Sequence, residues 1–147
     1  MRLLPGLLLA AVAAPCGASS CACEALGDDI DAIVADRFDQ AEVVAVAEVT
    51  GDTAAPVAVG SRTSGGRWLV LEVRRTLKGR ATVGARFYAA TPGIRNACTP
   101  SFEAGNLVLA FVEAGALVDL SACSVSGPLE SRAAELEVLS RIAPDPR

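Results

Sequence analysis

The feature of this chain that most constrains its fold is a closely spaced cysteine pair, Cys21 and Cys23, at the point where an export signal ends. The preceding residues comprise one basic residue, a short apolar run and then small residues up to Ser20, which is the order found in secretory signal peptides. Ala18 and Ser20 are small residues at the two positions that signal peptidase reads. We therefore expect residues 1–20 to be removed as a signal peptide, which makes Cys21 the first residue of the mature chain.

Removal of the signal changes the cysteine count from odd to even. The full chain has five cysteines, and loss of Cys16 leaves four in a compartment where disulfides persist, which predicts two bridges. A four-cysteine zinc site is the alternative, but two isolated cysteines after a Cys-x-Cys pair lack the usual spacing of zinc ligands. Four cysteines allow three pairings, and the residues alone leave all three open.

The location expected for the mature chain is the extracellular space or the periplasm. Lipid attachment at Cys21 is an alternative that would tether the protein to a membrane, but the segment Gly17-Ala18-Ser19-Ser20 lacks the large aliphatic residue that begins a lipid-attachment motif. No long apolar segment follows the signal, so we expect no membrane span after cleavage.

Length and charge indicate one small domain without a nucleic-acid partner. Residues 21–147 are enough for a single core and too few for two ordinary ones. Loss of Arg2 from the 13 basic residues leaves 12 against 17 acidic ones, so the mature chain is mildly acidic and has no basic stripe. Aromatic residues make up 4% of the chain, too few for a platform on which bases stack.

Two segments have the periodicity of amphipathic helices. The first covers residues 28–38, with acidic residues in its first turn and apolar residues at helical spacing: Ile30, Ile33, Val34 and Phe38. The second covers residues 129–142 and ends before Pro144, with an apolar stripe formed by Leu129, Ala133, Leu136, Leu139 and Ile142.

The segments between the two predicted helices are typical of strands. Five are rich in valine, leucine or aromatic residues: residues 41–49, 67–77, 85–91, 106–112 and 117–121. Residues 51–66 are small and polar and predict a long loop, and residues 113–116 predict a hairpin turn. Five short strands with a helix at each end favour a mainly β fold, a small closed or half-closed barrel.

A search for catalytic chemistry gives mostly negative results. The chain contains no histidine, which removes the commonest general base and zinc ligand. Ser121, Ser124 and Ser126 have no recognisable base partner nearby in sequence, and Ser64-Gly65-Gly66 leads into a strand rather than a helix that could bind phosphate. We therefore expect a protein that is not an enzyme and that has neither a cofactor nor a metal of its own.

The order of motifs along the mature chain resembles a known family. The motifs are Cys21-Ala22-Cys23, a helix, a valine-rich strand, a strand ending in Leu77-Lys78-Gly79, then Asn96-Ala97-Cys98, an apolar strand and Ser121-Ala122-Cys123-Ser124. This order is similar to the inhibitory domain of the tissue inhibitors of metalloproteinases and to the related netrin-type modules. The resemblance implies an OB-fold-like five-stranded barrel with a short N-terminal helix, a C-terminal helix and two disulfides.

The resemblance also implies a disulfide pairing and a mode of action. By carry-over, Cys21 pairs with Cys98 and Cys23 pairs with Cys123. The α-amine and carbonyl of Cys21 would chelate the catalytic zinc of a metalloendopeptidase, and Ala22 would point into its specificity pocket. Asn96, Ala97 and Thr99 would form a further contact loop.

The sequence departs from the family pattern at several of these positions. Ala22 replaces the usual hydroxyl residue, Glu24-Ala25 replaces an apolar residue and proline, and Thr99 replaces a glycine. The alternative hypothesis is a non-inhibitory, disulfide-stapled binding module of the cell envelope or extracellular space. Its partner would be a protein or glycan bound by the barrel face or by the loop of residues 51–66.

Overall fold

The computed structural model describes residues 29–53, 67–91, 100–121 and 123–143. In chain order its elements are α1 (Ile30–Gln40), β1 (Val43–Thr53), β2 (Arg67–Lys78), β3 (Arg86–Thr91), β4 (Leu107–Glu113), β5 (Leu117–Asp119), β6 (Gly127–Pro128), a 3-10 turn (Leu129–Ser131) and α2 (Ala133–Ile142). The predicted fold class, mainly β with a five-stranded OB-fold-like barrel and a helix at each end, is confirmed.

The barrel closes because β1 pairs with two strands. The strand order is β1-β2-β3-β5-β4, and β4 returns to pair with β1. All pairs of the ring are antiparallel except β3 and β5, which run parallel. Three register shifts in the β1–β2 pair bend β1, as bulges do, and so allow one strand to serve both neighbours.

The interior of the barrel is filled by small and medium side chains. Alanine and valine predominate, because five strands enclose little volume. The fully buried members of this core include Ala45, Ala47, Val73, Leu71, Ala89, Val108 and Ala110. Along β2, Leu69, Leu71 and Val73 share the inward face.

A second core lies between the barrel and the two helices. Side chains of β4 alternate, so Val108 and Val112 point into the barrel while Leu109 and Phe111 pack against the helices. Because both faces of β4 are covered, its sequence is a continuous apolar run rather than an alternation of apolar and polar residues. From α1, Val34 and Phe38 complete this layer.

The first helix matches its predicted start closely. The Asp29 carboxylate accepts a hydrogen bond from the backbone N–H of Ala32 at 3.1 Å, which caps the free end of α1. Ile30 and Ile33 are half-buried beside the second core, so all four apolar residues predicted for this helix contact it.

Two predicted boundaries differ from the structure by four residues. Gly51 pairs with Val70, and β1 continues through Thr53, so residues 51–53 are strand rather than the start of the predicted loop. The remainder of that loop, residues 54–66, lies outside the described residues. The predicted C-terminal helix begins later than expected, because Leu129 belongs to the 3-10 turn and Arg132 has a non-helical backbone.

The buried face of α2 also differs from the predicted stripe. Val138, Leu139 and the acidic residue Glu135 are buried, whereas Ala133 and Ile142 are exposed. The prediction assumed that only apolar residues are buried, and the buried carboxylate of Glu135 does not follow that pattern. Within the described residues, no helix has both the length and the apolar character needed to cross a membrane.

Candidate functional site

Most of the predicted site residues lie outside the part of the chain that the structure describes. These are Cys21, Ala22, Cys23, Asn96, Ala97, Cys98 and Thr99. Cys123 lies inside it and is bonded in a disulfide, whose partner is outside the described residues. The pairings Cys21–Cys98 and Cys23–Cys123 therefore stay predictions. Cys123 is the starting point for the site, because it is the predicted site residue that lies within the described ranges.

Cys123 lies between β5 and β6, in a stretch that we call the Cys123 segment (residues 120–121 and 123–126). Val118 pairs with Val112 of β4, and Gly127 pairs with Leu109. Between these two pairs, β4 contains only two residues, Ala110 and Phe111. The chain that pairs with β4 contains Asp119 and the whole Cys123 segment over the same distance. The segment is thus anchored at both ends on the same strand.

Two serine hydroxyls secure the end of this segment. The backbone N–H of Phe111 donates to the Ser126 hydroxyl at 2.9 Å, and Ser126 is 1% exposed. That hydroxyl replaces the carbonyl that a neighbouring strand would supply, so the N–H is not left unpaired in the core. The N–H of Ser126 donates in turn to the Ser124 hydroxyl at 3.1 Å.

At the start of the segment, a carboxylate makes a local turn. Asp119 accepts hydrogen bonds from the backbone N–H of Ser121 at 2.9 Å and from its hydroxyl at 3.1 Å. A carboxylate that bonds two residues ahead in this way favours a turn over continued strand. This is why β5 ends after three residues.

An arginine that follows the segment ties it to α2. The Nη2 atom of Arg132 donates to the carbonyl oxygens of Ser124 and Ser126, each at 3.1 Å. Its Nη1 atom lies 3.4 Å from Oε1 of Glu135, and both side chains are largely buried, at 15% and 10% exposure. A guanidinium suits this position because its planar fork can serve several acceptors at once.

A cleft lies beside Cys123. It is lined on one side by the last turn of α1, including Arg37 and Gln40, and on the other by Glu113, Asp119 and the Cys123 segment. Arg37 Nη1 lies 3.8 Å from Glu113 Oε1 and both side chains are exposed, so this ion pair adds little stability. The cleft therefore brings the end of α1 next to the disulfide.

A second charged cluster lies on the outer face of β1 and β2. Arg74 Nε donates to Glu48 at 2.9 Å and Arg74 Nη1 donates to Glu72 at 2.7 Å. The hydrogen bond with Glu48 raises the pKa of Arg74 above its ordinary value, so the group stays charged throughout the pH range of a folded protein. This cluster separates two carboxylates that face each other across the strands.

A groove on another side of the barrel is lined by Ser101, Asn106, Leu107, Pro128 and Leu129. Leu107 is 42% exposed there. Across the described ranges, no group of three or more acidic or cysteine side chains is arranged to hold a metal ion.

Sequence reasoning missed the groups that hold Cys123 in place. Ser126 and Ser124 were considered only as nucleophiles, and their actual role is to bond the backbone. Arg132 and Glu135 form an ordinary i, i+3 pair in sequence, which gives no sign that the pair is buried. Searches for a match to this sequence among protein-family models and among curated proteins found none.

Proposed function

We propose that the mature chain is an exported inhibitor of zinc metalloendopeptidases, resembling the tissue inhibitors of metalloproteinases. Its first residue, Cys21, binds the catalytic zinc of the protease through its α-amine nitrogen and carbonyl oxygen. The partner is therefore a zinc metallopeptidase, and the inhibitor itself needs no cofactor. The closed five-stranded barrel supports this proposal, because it is the scaffold that the resemblance implies.

The single observation that carries the proposal is the position of the Cys123 disulfide beside the last turn of α1. The N-terminal segment leads directly into α1, whose cap is Asp29. Cys23 stands six positions before Asp29, and a chain of that length reaches up to about 20 Å when extended. The helix from Asp29 to Arg37 rises about 12 Å. The implied bridge from Cys23 to Cys123 is therefore within reach.

A disulfide from Cys23 to Cys123 would fix the N-terminus and so favour chelation by Cys21. Two zinc ligands on one residue bind well only if their positions are fixed before binding, since ordering a free chain terminus costs affinity. The α-amine must be neutral to bind metal, which its ordinary pKa near neutral allows. Ala22 contributes a small side chain, so we expect selectivity for a protease with a narrow specificity pocket.

The proposal is tested with mature protein that begins at Cys21, assayed against a panel of zinc metalloendopeptidases. We expect inhibition of at least one member by the native form. A variant with one alanine added before Cys21 should lose at least about 100-fold in affinity, because its terminal amine is displaced from the chelating position. Its circular dichroism and thermal unfolding should match those of the native form.

A chemical control exploits the single lysine of the chain, Lys78. In a Lys78→Arg variant the α-amine is the only amine, so acetylation modifies that nitrogen alone. Acetylated protein should no longer inhibit, while mock-treated protein should inhibit fully. If the native, extended and acetylated forms act alike, chelation is wrong and the alternative of a non-inhibitory binding module replaces it.

A further inference from the structure

The buried pair of Arg132 and Glu135 has an arrangement that simple helix stability does not require. Arg132 directs one nitrogen at two carbonyls of the Cys123 segment instead of at its own helix. Its Nε atom is buried without a hydrogen-bond partner, an unfavourable arrangement that the other bonds of the guanidinium must offset. Gly127 leaves the space for this group, since a Cβ atom there would lie 2.5 Å from Nη2.

We propose that Arg132 is a positioning residue for the Cys123 disulfide. By holding the carbonyls of Ser124 and Ser126, it fixes the segment in the place where the sulfur of Cys123 meets its partner. The C-terminal helix thereby sets the point at which the N-terminal segment is clamped. That last step rests on the proposed function, whereas the effect of Arg132 on the disulfide does not.

The physical consequence is a high effective concentration of the two thiols when the disulfide is reduced. A segment bonded at Ser124 and Ser126 keeps Cys123 near its bonding position after reduction, so less entropy is lost when the bridge forms again. A segment without those bonds samples other positions, and the equilibrium with glutathione moves toward the reduced form.

The test measures that equilibrium by alkylation and mass spectrometry of the peptide containing Cys123, in glutathione buffers of known ratio. The main variant is Arg132→Met combined with Glu135→Met, since removing the arginine alone would leave a buried carboxylate unpaired. We expect the effective concentration to fall about tenfold. The Gly127→Ala variant should lower it in the same direction, because the new methyl group displaces the guanidinium while both charges remain.

Arg141→Met is the matched control. Arg141 is on the same helix, is 55% exposed and pairs with Asp31 of α1, with no bond to the Cys123 segment. It should leave the equilibrium unchanged. Conversely, a double variant and a Gly127→Ala variant that lower thermal stability but not the effective concentration would assign Arg132 a purely structural role and overturn the proposal.

The outcome is independent of protease inhibition. A protein that inhibits no protease but shows the expected loss in glutathione equilibrium would contradict the proposed function and retain Arg132 as a positioning residue. A protein that inhibits a protease, but whose Arg132 variants leave the glutathione equilibrium unchanged, would support the proposed function and contradict the positioning role of Arg132. If the double variant does not fold, Gly127→Ala decides the question, since it keeps both charged side chains and Gly127 does not have the left-handed backbone that would strain an alanine.

Discussion

Gly79 follows the last residue of β2 and allows the chain to turn where no other residue fits. Its φ is +89°, a left-handed conformation that residues with a Cβ rarely adopt. The space is closed as well, because a Cβ atom would contact the backbone carbonyl oxygen of Glu42. The predicted end of the strand at this glycine is confirmed, but the contact with Glu42 depends on distant packing that local sequence does not reveal.

Replacing Gly79 and Gly84 in turn separates the cost of backbone strain from the cost of the steric clash. Gly84 has nearly the same φ, +87°, with open space around it. We expect Gly84→Ala to cost about 1–2 kcal/mol of unfolding free energy for backbone strain alone. Gly79→Ala should cost about 1–3 kcal/mol more, since the clash is with backbone. Urea denaturation measures both, and equal losses for the two variants would contradict the steric role.

Ser126 replaces a missing strand partner at the base of the Cys123 segment. Ser126→Ala leaves the buried N–H of Phe111 without an acceptor, so we expect a loss of about 1–3 kcal/mol in unfolding free energy. Ser140→Ala is the control, because its exposed hydroxyl only bonds Glu137 of its own helix, and we expect a change within about 0.5 kcal/mol. Comparable losses would rule out this role for Ser126.

At the scale of elements, α1 is held at its C-terminal end by a side chain from β2. Lys78 Nζ donates to the carbonyl oxygens of Phe38 and Asp39 and lies 5.0 Å from the centre of the Phe38 ring. These carbonyls are among those that a helix end leaves unpaired, and a cation is favoured there by the helix dipole. This contact adds to the apolar packing of Val34 and Phe38 that holds α1 against the barrel.

Removing that contact should loosen α1. We expect Lys78→Met to lower the unfolding free energy by about 1–2 kcal/mol and to speed hydrogen exchange in the last turn of the helix. Lys78→Arg keeps donors for both carbonyls and should retain most of the stability. Arg80→Met, two positions on and exposed, should change neither quantity, and an equal effect from it would argue against a specific cap.

The two helices differ in how far their sequences predict them. For α1, the capping aspartate and the spacing of four apolar residues predict the same helix, and those apolar residues are the ones that pack against the second core. For α2 the buried face includes Glu135, and Arg132, the residue before the helix, bonds the Cys123 segment. A helix whose buried side contains an ion pair has no purely apolar period to detect.

At the scale of the whole molecule, strands were easier to predict than their pairing. Composition marks β2 and β4 as strands, yet nothing in either shows that β4 returns to β1, because such contacts join residues about 60 positions apart. The strand count favoured a closed or half-closed barrel, and the OB-fold-like form of that barrel was expected only through the family resemblance. The predicted zinc-chelating terminus lies outside the described residues, so the strand pattern of the barrel does not test it.

The proposed inhibition should depend on pH in one direction. Protons compete with zinc for the α-amine of Cys21, so affinity should fall by up to about tenfold per pH unit below the ordinary pKa of that amine and level off above it. Inhibition constants measured over a pH series check this. A small zinc-binding inhibitor without a titrating amine, assayed in parallel, corrects for titration of the protease itself, and identical profiles would contradict coordination through the amine.

The late return of β4 to β1 has a consequence for how the chain is made. Synthesis releases β1, β2 and β3 first, and until β4 emerges one edge of β1 has no neighbour. An open sheet of this kind can associate with other chains through that edge. It also stays easy to unravel, a property that would suit the proposed export of the chain through a membrane pore before it folds.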